Sequence, residues 1–214
     1  MAKPDLMSLA EEERGELLAL LETLTPDQWA APTLCERWTV RDVAVHVVSY
    51  DELSVARTAR AFVRGGFRPA AVNEVVLRSY DGLEPAGVVS LVASCRRPRG
   101  LPAALKGGIA LTDGTIHHQD IRRALGLRRT IAADQLAAVL DFSLTAPTLP
   151  SKGNARGLRL VADDLDWSSG TGPEVSGPGE ALLMAAAGRR EALHELDGDG
   201  LEMLRRRVGG TTDG

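Results

Sequence analysis

Cysteine is scarce in this chain of 214 residues: Cys35 and Cys95 are its only two. Two thiols so far apart build neither a disulfide framework nor a zinc knuckle, and both read as reduced thiols of a cytoplasmic protein. Aromatic residues are also few, at 4%, which leaves little to stack on nucleic-acid bases. Basic residues do not outnumber acidic ones, with 25 Lys and Arg against 29 Asp and Glu and a net charge of −4. No nucleic-acid partner is therefore expected; the basic runs at 96–99 and 205–207 read as solvated helix ends. No apolar run approaches the roughly 18 residues of a membrane span. The opening Met1-Ala2-Lys3-Pro4-Asp5 carries no apolar signal segment. A cytoplasmic chain without a membrane partner is the expectation.

What is present is an ordinary globular balance, 44% hydrophobic and 25% charged, in a length that suits one large domain or one domain with a small addition. A helix is expected over 7–23, with Ser8 as N-cap, Glu11, Glu12 and Glu13 at its positive end, and an apolar stripe of Leu17, Leu18, Leu20, Leu21 and Leu24. Thr25-Pro26 opens a short helix. Thr39 caps a long helix expected over 40–63, with Val40, Val43, Ala44, Val47 and Val48 on one face and Gly65-Gly66 as its end. Helical patterns follow over 70–80 and from Glu84-Pro85 to just before Pro98. A Gly/Pro-rich loop spans 98–108, and a helix over 109–125 is closed by Gly126. Another helix starts at Asp134 and runs to about 144.

The composition then changes. Residues 157–162 alternate like a strand, 163–172 read as a turn, and 173–177 as a second strand pairing antiparallel with the first. A small-residue helix over 179–187 and short helices over 191–196 and 200–208 follow, with the last residues unstructured. The sequence thus reads as mostly α, with a helical bundle over 1–150 and a small α/β domain over 151–214.

The chemistry concentrates in Asp113-Gly114-Thr115-Ile116-His117-His118-Gln119-Asp120. On a helix, Asp113 and His117 stand one turn apart on the same face, where a carboxylate and a neutral imidazole can grip one divalent cation. Two ligands are too few; the obvious third is the distant His46. Each residue also has a plainer reading. His46 on a half-apolar face reads as a hydrogen-bonded core histidine, and an acid four residues before a histidine is a common surface pair.

Two segments carry a family resemblance. Trp38-Thr39-Val40-Arg41-Asp42, followed by His46, resembles the signature of the mycothiol-dependent maleylpyruvate isomerase-like family, part of the DinB-like superfamily of metal-binding four-helix bundles. The run from Asp113 through His117 and Gln119-Asp120-Ile121-Arg122-Arg123 to Leu125-Gly126 is similar to the family's second motif. The tail resembles the C-terminal portion of actinobacterial members, through Gly157-Leu158-Arg159-Leu160, Asp164-Leu165-Asp166-Trp167 and Gly172-Pro173-Glu174-Val175. The resemblance implies a DinB-like four-helix bundle and a divalent metal, usually zinc, with nickel or another ion as alternatives. His46, Asp113 and His117 would be its ligands. It also implies mycothiol as co-substrate, in cis–trans isomerisation of a small electrophile or S-transfer to one; the chain is expected to be a monomer or homodimer. A metal-dependent hydrolase without thiol, or a non-catalytic metal-binding or stress-response protein, are the other classes to weigh. Asp113 stands where the isomerase has glutamate, and His118 where relatives often have glycine.

The neighbours have expected roles of their own. Asp42 reads as a structural partner and Trp38 as a core anchor at the helix start. Asp120 is placed to accept the free N–H of His117, or to pair with Arg122 or Arg123. His118, about 100° around the helix from His117, belongs at the site entrance or in solvent. Arg78 is a weaker candidate, as an anion clamp. Neither cysteine has a motif role, and His194 is expected on the surface.

Overall fold

Reciprocal capping starts two of the helices. Thr25 accepts from the Gln28 backbone while the Gln28 side chain accepts from the Thr25 backbone, and Thr39 and Asp42 make the same exchange. The structure, a computed structural model, describes residues 4–53, 55–66 and 68–209. The chain tail expected to be unstructured lies outside the described residues. The N-terminal unit, 1–129, contains α1 (Leu6–Leu21), α2 (Pro26–Ala30), α3 (Val40–Ser49), α4 (Val55–Arg64), α5 (Pro69–Leu77), α6 (Pro85–Ser94) and α7 (Gly108–Ala124). Helices α1, α3, α6 and α7 close a four-helix bundle in which α1 and α3 each pack against both α6 and α7.

Valine-rich α3 shows why a sequence poor in helix propensity is helical here. Each valine costs up to about 0.7 kcal/mol against alanine in a helix, whereas burying a valine side chain contributes about 1.5–3 kcal/mol. Val40, Val43, Val45, Val47 and Val48 are all buried in one cluster with Leu17, Leu21, Val88, Val92 and Ile121. Burial therefore outweighs propensity.

The single helix expected over 40–63 is two. The chain leaves α3 at Ser49 and resumes as α4 at Val55. The break carries Asp51 inward to a fully buried, bidentate pair with Arg14 of α1, at 2.8 Å for both nitrogen–oxygen contacts. Arg14 also donates to the carbonyls of Cys95 and Val47, and Asp51 accepts the backbone N–H of Arg99 at 2.7 Å. A straight helix would put Asp51 in the wrong direction for all of these. Val63, at the end of the expected helix, is 68% exposed. Helix α1 begins earlier than expected: Asp5, not Ser8, is its N-cap.

The C-terminal unit, 130–214, holds α8 (Ala133–Ser143), α9 (Ser151–Asn154), β1 (Arg159–Ala162), β2 (Ser168–Gly170), β3 (Glu174–Gly177), α10 (Gly179–Ala186) and α11 (Leu201–Gly209). The division falls near 129, whereas the sequence pattern suggested 150. The reason is that α8 packs on α10 and its Asp141 accepts the indole N–H of Trp167 at 2.9 Å. The sheet order is β2-β1-β3, with β1 antiparallel to β2 and parallel to β3. Two expectations change here. Residues 168–170, read as turn, are a strand, and 174–177 pairs parallel rather than antiparallel. Glycine makes the crossover possible: a Cβ on Gly170 or Gly172 would overlap the carbonyl of Leu158 or Gly157, and both have positive φ. Among the described residues no helix is long and apolar enough to cross a membrane.

Candidate metal centre

The two motif segments meet. His46 projects from α3, Asp113 and His117 from α7, and the direct packing of these helices brings their donor atoms together. His46 Nε2 lies 3.7 Å from Asp113 Oδ1, and His117 Nε2 lies 3.5 Å from the same oxygen. The two imidazoles meet edge to face with centroids 4.8 Å apart. Both histidines are buried, at 8% and 9% exposure, while the Asp113 side chain is 35% exposed. Asp113 is the edge of the cluster that faces solvent.

These separations carry chemical information. Donor atoms held about 2.0–2.1 Å from one tetrahedral zinc lie about 3.3 Å from each other. A direct hydrogen bond between nitrogen and oxygen sits at about 2.9 Å. The contacts of Asp113 with both histidines are too long for good hydrogen bonds and close to the spacing of donors around a shared cation. Two imidazoles and a carboxylate, with a further position left free, are also the donor set of a catalytic rather than a structural zinc site. The residues present therefore fit a divalent ion.

A second triad, Cys35, His117 and Asp120, has the opposite geometry. His117 Nδ1 lies 3.0 Å from Asp120 Oδ2, and the Cys35 thiol donates to that same oxygen at 2.9 Å. Cys35 Sγ is 3.4 Å from His117 Nδ1. These are hydrogen-bond distances, so this triad is a support. Asp120 is fully buried and accepts the outward N–H of His117, which leaves Nε2 facing Asp113. This role of Asp120, among those open to it in the sequence, is realised, and Arg122 donates to His118.

His46 is held by packing. Its Nδ1 is buried without a hydrogen-bond partner among the described residues, but the Trp38 ring lies 4.7 Å away, tilted by 48°. Trp38 also approaches His117 at 6.1 Å. Tyr50 meets His46 edge to face with centroids 6.2 Å apart and donates its hydroxyl to Asn73 at 2.7 Å. Burial, then the nearby Asp113 charge, pushes the Tyr50 phenol up to about 12. Burial also disfavours charge on Asp113, but His117 and His46 outweigh it and hold its carboxyl below the usual carboxylate range. For His117, burial opposes the cation, but the nearby Asp113 charge, with Cys35 and the Asp120 hydrogen bond, outweighs it and raises the His117 pKa well above the ordinary histidine value.

The remaining predicted neighbours sort cleanly. Asp42 is the partner of the Thr39 cap, the structural role expected of it. Arg78 is largely exposed and lies 4.0 Å from Glu74. His194 is exposed, and both cysteines are free thiols. His118 overturns its expectation, since it lines no entrance and does not face solvent. It is fully buried against α1, with Nδ1 2.8 Å from Glu13 Oε1. Arg122 donates to His118 Nε2, and His118 Nδ1 faces both the Glu13 carboxylate and Arg129. Arg129 adds two hydrogen bonds to the Glu13 carboxylate. Glu13 itself, read as a helix-dipole residue, is 1% exposed. Sequence reasoning missed Cys35 and Tyr50, for which no spacing rule gives a signal, and the Glu13 cluster, whose partners lie over a hundred residues apart.

That cluster sets an acid limit on stability. Burial raises the Glu13 pKa, but hydrogen bonds from His118 and Arg129 and their charges bring it from an ordinary 4.5 down to about 2. The stabilisation is fully present above about pH 4.5 and is lost as pH falls towards 2. Buried His118 has a lowered pKa and resists protonation, so it acts in the same direction below its ordinary 6.5. Urea unfolding followed against pH is expected to show declining stability from about pH 6.5 down, steepest between 4.5 and 2. Glu13→Gln should flatten the steep part while lowering stability at neutral pH.

Fold and site together define a helical-bundle protein with a histidine–aspartate–histidine cluster between two bundle helices. Residues 10–105 match the family model described as the mycothiol maleylpyruvate isomerase N-terminal domain. The chain is 31% identical over 143 residues to the uncharacterized proteins MT0763 and Rv0738 of Mycobacterium tuberculosis strains CDC 1551 and H37Rv, covering 63% of this chain and 77% of each relative. Its fold is similar to the crystal structure of the mycothiol-dependent maleylpyruvate isomerase, with a TM-score of 0.62, 18% identity and 93% of both chains covered. An alanine mutant of that enzyme, lacking one histidine, gives a TM-score of 0.61. Over residues 10–105 the chain therefore carries a domain of the mycothiol maleylpyruvate isomerase N-terminal family, and it is a relative of the two Mycobacterium tuberculosis proteins.

Proposed function

We propose that this protein is a metal-dependent enzyme that uses a low-molecular-weight thiol, mycothiol, in the cis–trans isomerisation of a small electrophile or in S-transfer to one. The observation that carries the reading is the convergence of His46 Nε2, Asp113 Oδ1 and His117 Nε2 at donor rather than hydrogen-bond spacing. Family membership supports the choice of thiol and reaction class. His46, Asp113 and His117 would hold a divalent cation, zinc in the first instance. When bound, such an ion supplies a positive charge that lowers the pKa of a thiol or water beside it.

The protein's own residues do the rest. Asp120 keeps the His117 proton on Nδ1 and so directs Nε2 inward. Trp38 and Tyr50 both pack against the His46 ring and restrain it. The half-buried Asp113 marks the side from which small molecules enter. In isomerisation the thiol sulfur adds to an activated double bond, the resulting single bond rotates, and the sulfur leaves with the double bond restored. In S-transfer the thiolate sulfur forms a carbon–sulfur bond that stays, while the bond to the leaving atom breaks; in an epoxide the ring carbon–oxygen bond opens and the alkoxide takes up the proton lost by the thiol.

The test is consumption of maleylpyruvate-like and epoxide electrophiles by metal-loaded protein, with and without mycothiol. Turnover that requires both metal and thiol is the expected result, with unchanged thiol concentration for isomerisation and stoichiometric loss for transfer. Turnover indifferent to thiol would replace this reading with a hydrolase. A protein that takes up no metal on reconstitution would remove both.

A further inference from the structure

The loop between α2 and α3 is built more tightly than its lack of regular structure suggests. Thr33 donates its hydroxyl to the Trp38 carbonyl at 3.0 Å and accepts the Cys35 N–H at 3.1 Å. Its own N–H also reaches the Trp38 carbonyl, and the Trp38 N–H returns to the Cys35 carbonyl. Pro32 and Thr39 form an isolated bridge that closes the loop at its base. Arg37 takes a positive φ of 71°, which a non-glycine residue adopts only under constraint. The Leu34 N–H reaches the Asp120 carbonyl on α7 at 3.4 Å. The loop is thus closed on itself and tied to the helix that carries His117.

One consequence is the placement of two side chains. Trp38 lies against His46 and near His117. Cys35 lies with its Sγ 2.9 Å from Asp120 Oδ2 and 3.4 Å from His117 Nδ1. Asp120 Oδ2 therefore receives hydrogen bonds from two directions, the thiol and the imidazole.

We infer that Cys35 is a positioning residue for the metal centre: its thiol donates to Asp120 Oδ2 and fixes that oxygen where it orients His117. Cys35 acts through Asp120 and is not itself a ligand, because its distances to Asp120 and His117 are those of hydrogen bonds. This inference deepens the metal-centre reading, and it also makes a claim about the metal-free protein. A carboxylate held by one donor fewer can rotate, and the imidazole it anchors loses its fixed direction.

The experiment compares wild type, Cys35→Ala and Cys35→Ser in the full chain. Zinc affinity is measured by competition with a chromophoric chelator, and the visible and near-ultraviolet spectrum is recorded with cobalt. The downfield imidazole N–H resonance of His117 is followed by NMR in the metal-free protein. Cys35→Ala is expected to weaken zinc binding about 10-fold, the lower end for loss of an outer partner of a ligand. It should also broaden the His117 N–H resonance by exposing it to exchange. Cys35→Ser keeps a donor and is expected to stay within about threefold of wild type in affinity, with the resonance retained. Wild-type behaviour of Cys35→Ala in both readouts would overturn the inference. So would a sulfur-to-cobalt charge-transfer band that disappears in Cys35→Ala, since Cys35 would then be a ligand. If wild type binds no metal, the function proposed above falls, and the resonance alone decides the role of Cys35.

Discussion

Alanine at His46, at Asp113 or at His117 is expected to cut divalent-metal affinity by at least about 100-fold, more than removal of an outer partner costs. Each substitution takes one of the three protein donors that the cluster has among the described residues. Elemental analysis after zinc reconstitution should find near one equivalent in wild type and little in each variant. The adjacent histidine makes a sharp control. His118→Ala should keep its metal, because His118 faces Glu13 and Arg122 and not the cluster. It should lose stability instead, by leaving part of a buried polar network unpaired. Equal metal in His117→Ala and wild type would contradict the assignment. Asp120→Asn should fall between, weakening affinity roughly 10–100-fold by misdirecting His117.

The second large effect is on stability. Arg14→Ala is expected to cost about 3–5 kcal/mol, the usual penalty for orphaning one half of a buried ion pair. Asp51 would keep only the Arg99 N–H as a donor for a carboxylate with no exposed side-chain area. The Val47 and Cys95 carbonyls would lose a donor as well. Denaturant unfolding provides the measurement. Adding Asp51→Asn to Arg14→Met should cost little more than Arg14→Met alone, because the first change already leaves the charge that the second removes. Strict additivity of the two single changes would show that the pair is not coupled. The same pair holds the chain just after α3, so its loss should also loosen the 50–53 break.

Much of the helical order was legible in the sequence. Caps and breakers are local signals, and Thr25-Pro26, Thr39 with Asp42, Glu84-Pro85 and Gly126 all stand at the ends they mark. The strand errors have a tertiary cause. Pairing direction in the sheet depends on the chain crossing beneath the start of β1, which needs glycine at 170 and 172 for clearance rather than for a turn. The broken helix after Ser49 has a similar origin, because the partner that draws Asp51 inward is Arg14, on another helix.

The candidate site divides along the same line. The amino-acid sequence by itself determined that Asp113 and His117 share a helix face, since a four-residue separation is one turn whatever surrounds it. Its motifs pointed to His46 as the third member. Only the tertiary structure decided that His46 meets them, that Cys35 and Asp120 stand behind His117, and that His118 belongs to a buried ion cluster with Glu13. Spacing along one helix is set by backbone geometry. Convergence of side chains from different helices is set by packing, which no local pattern encodes.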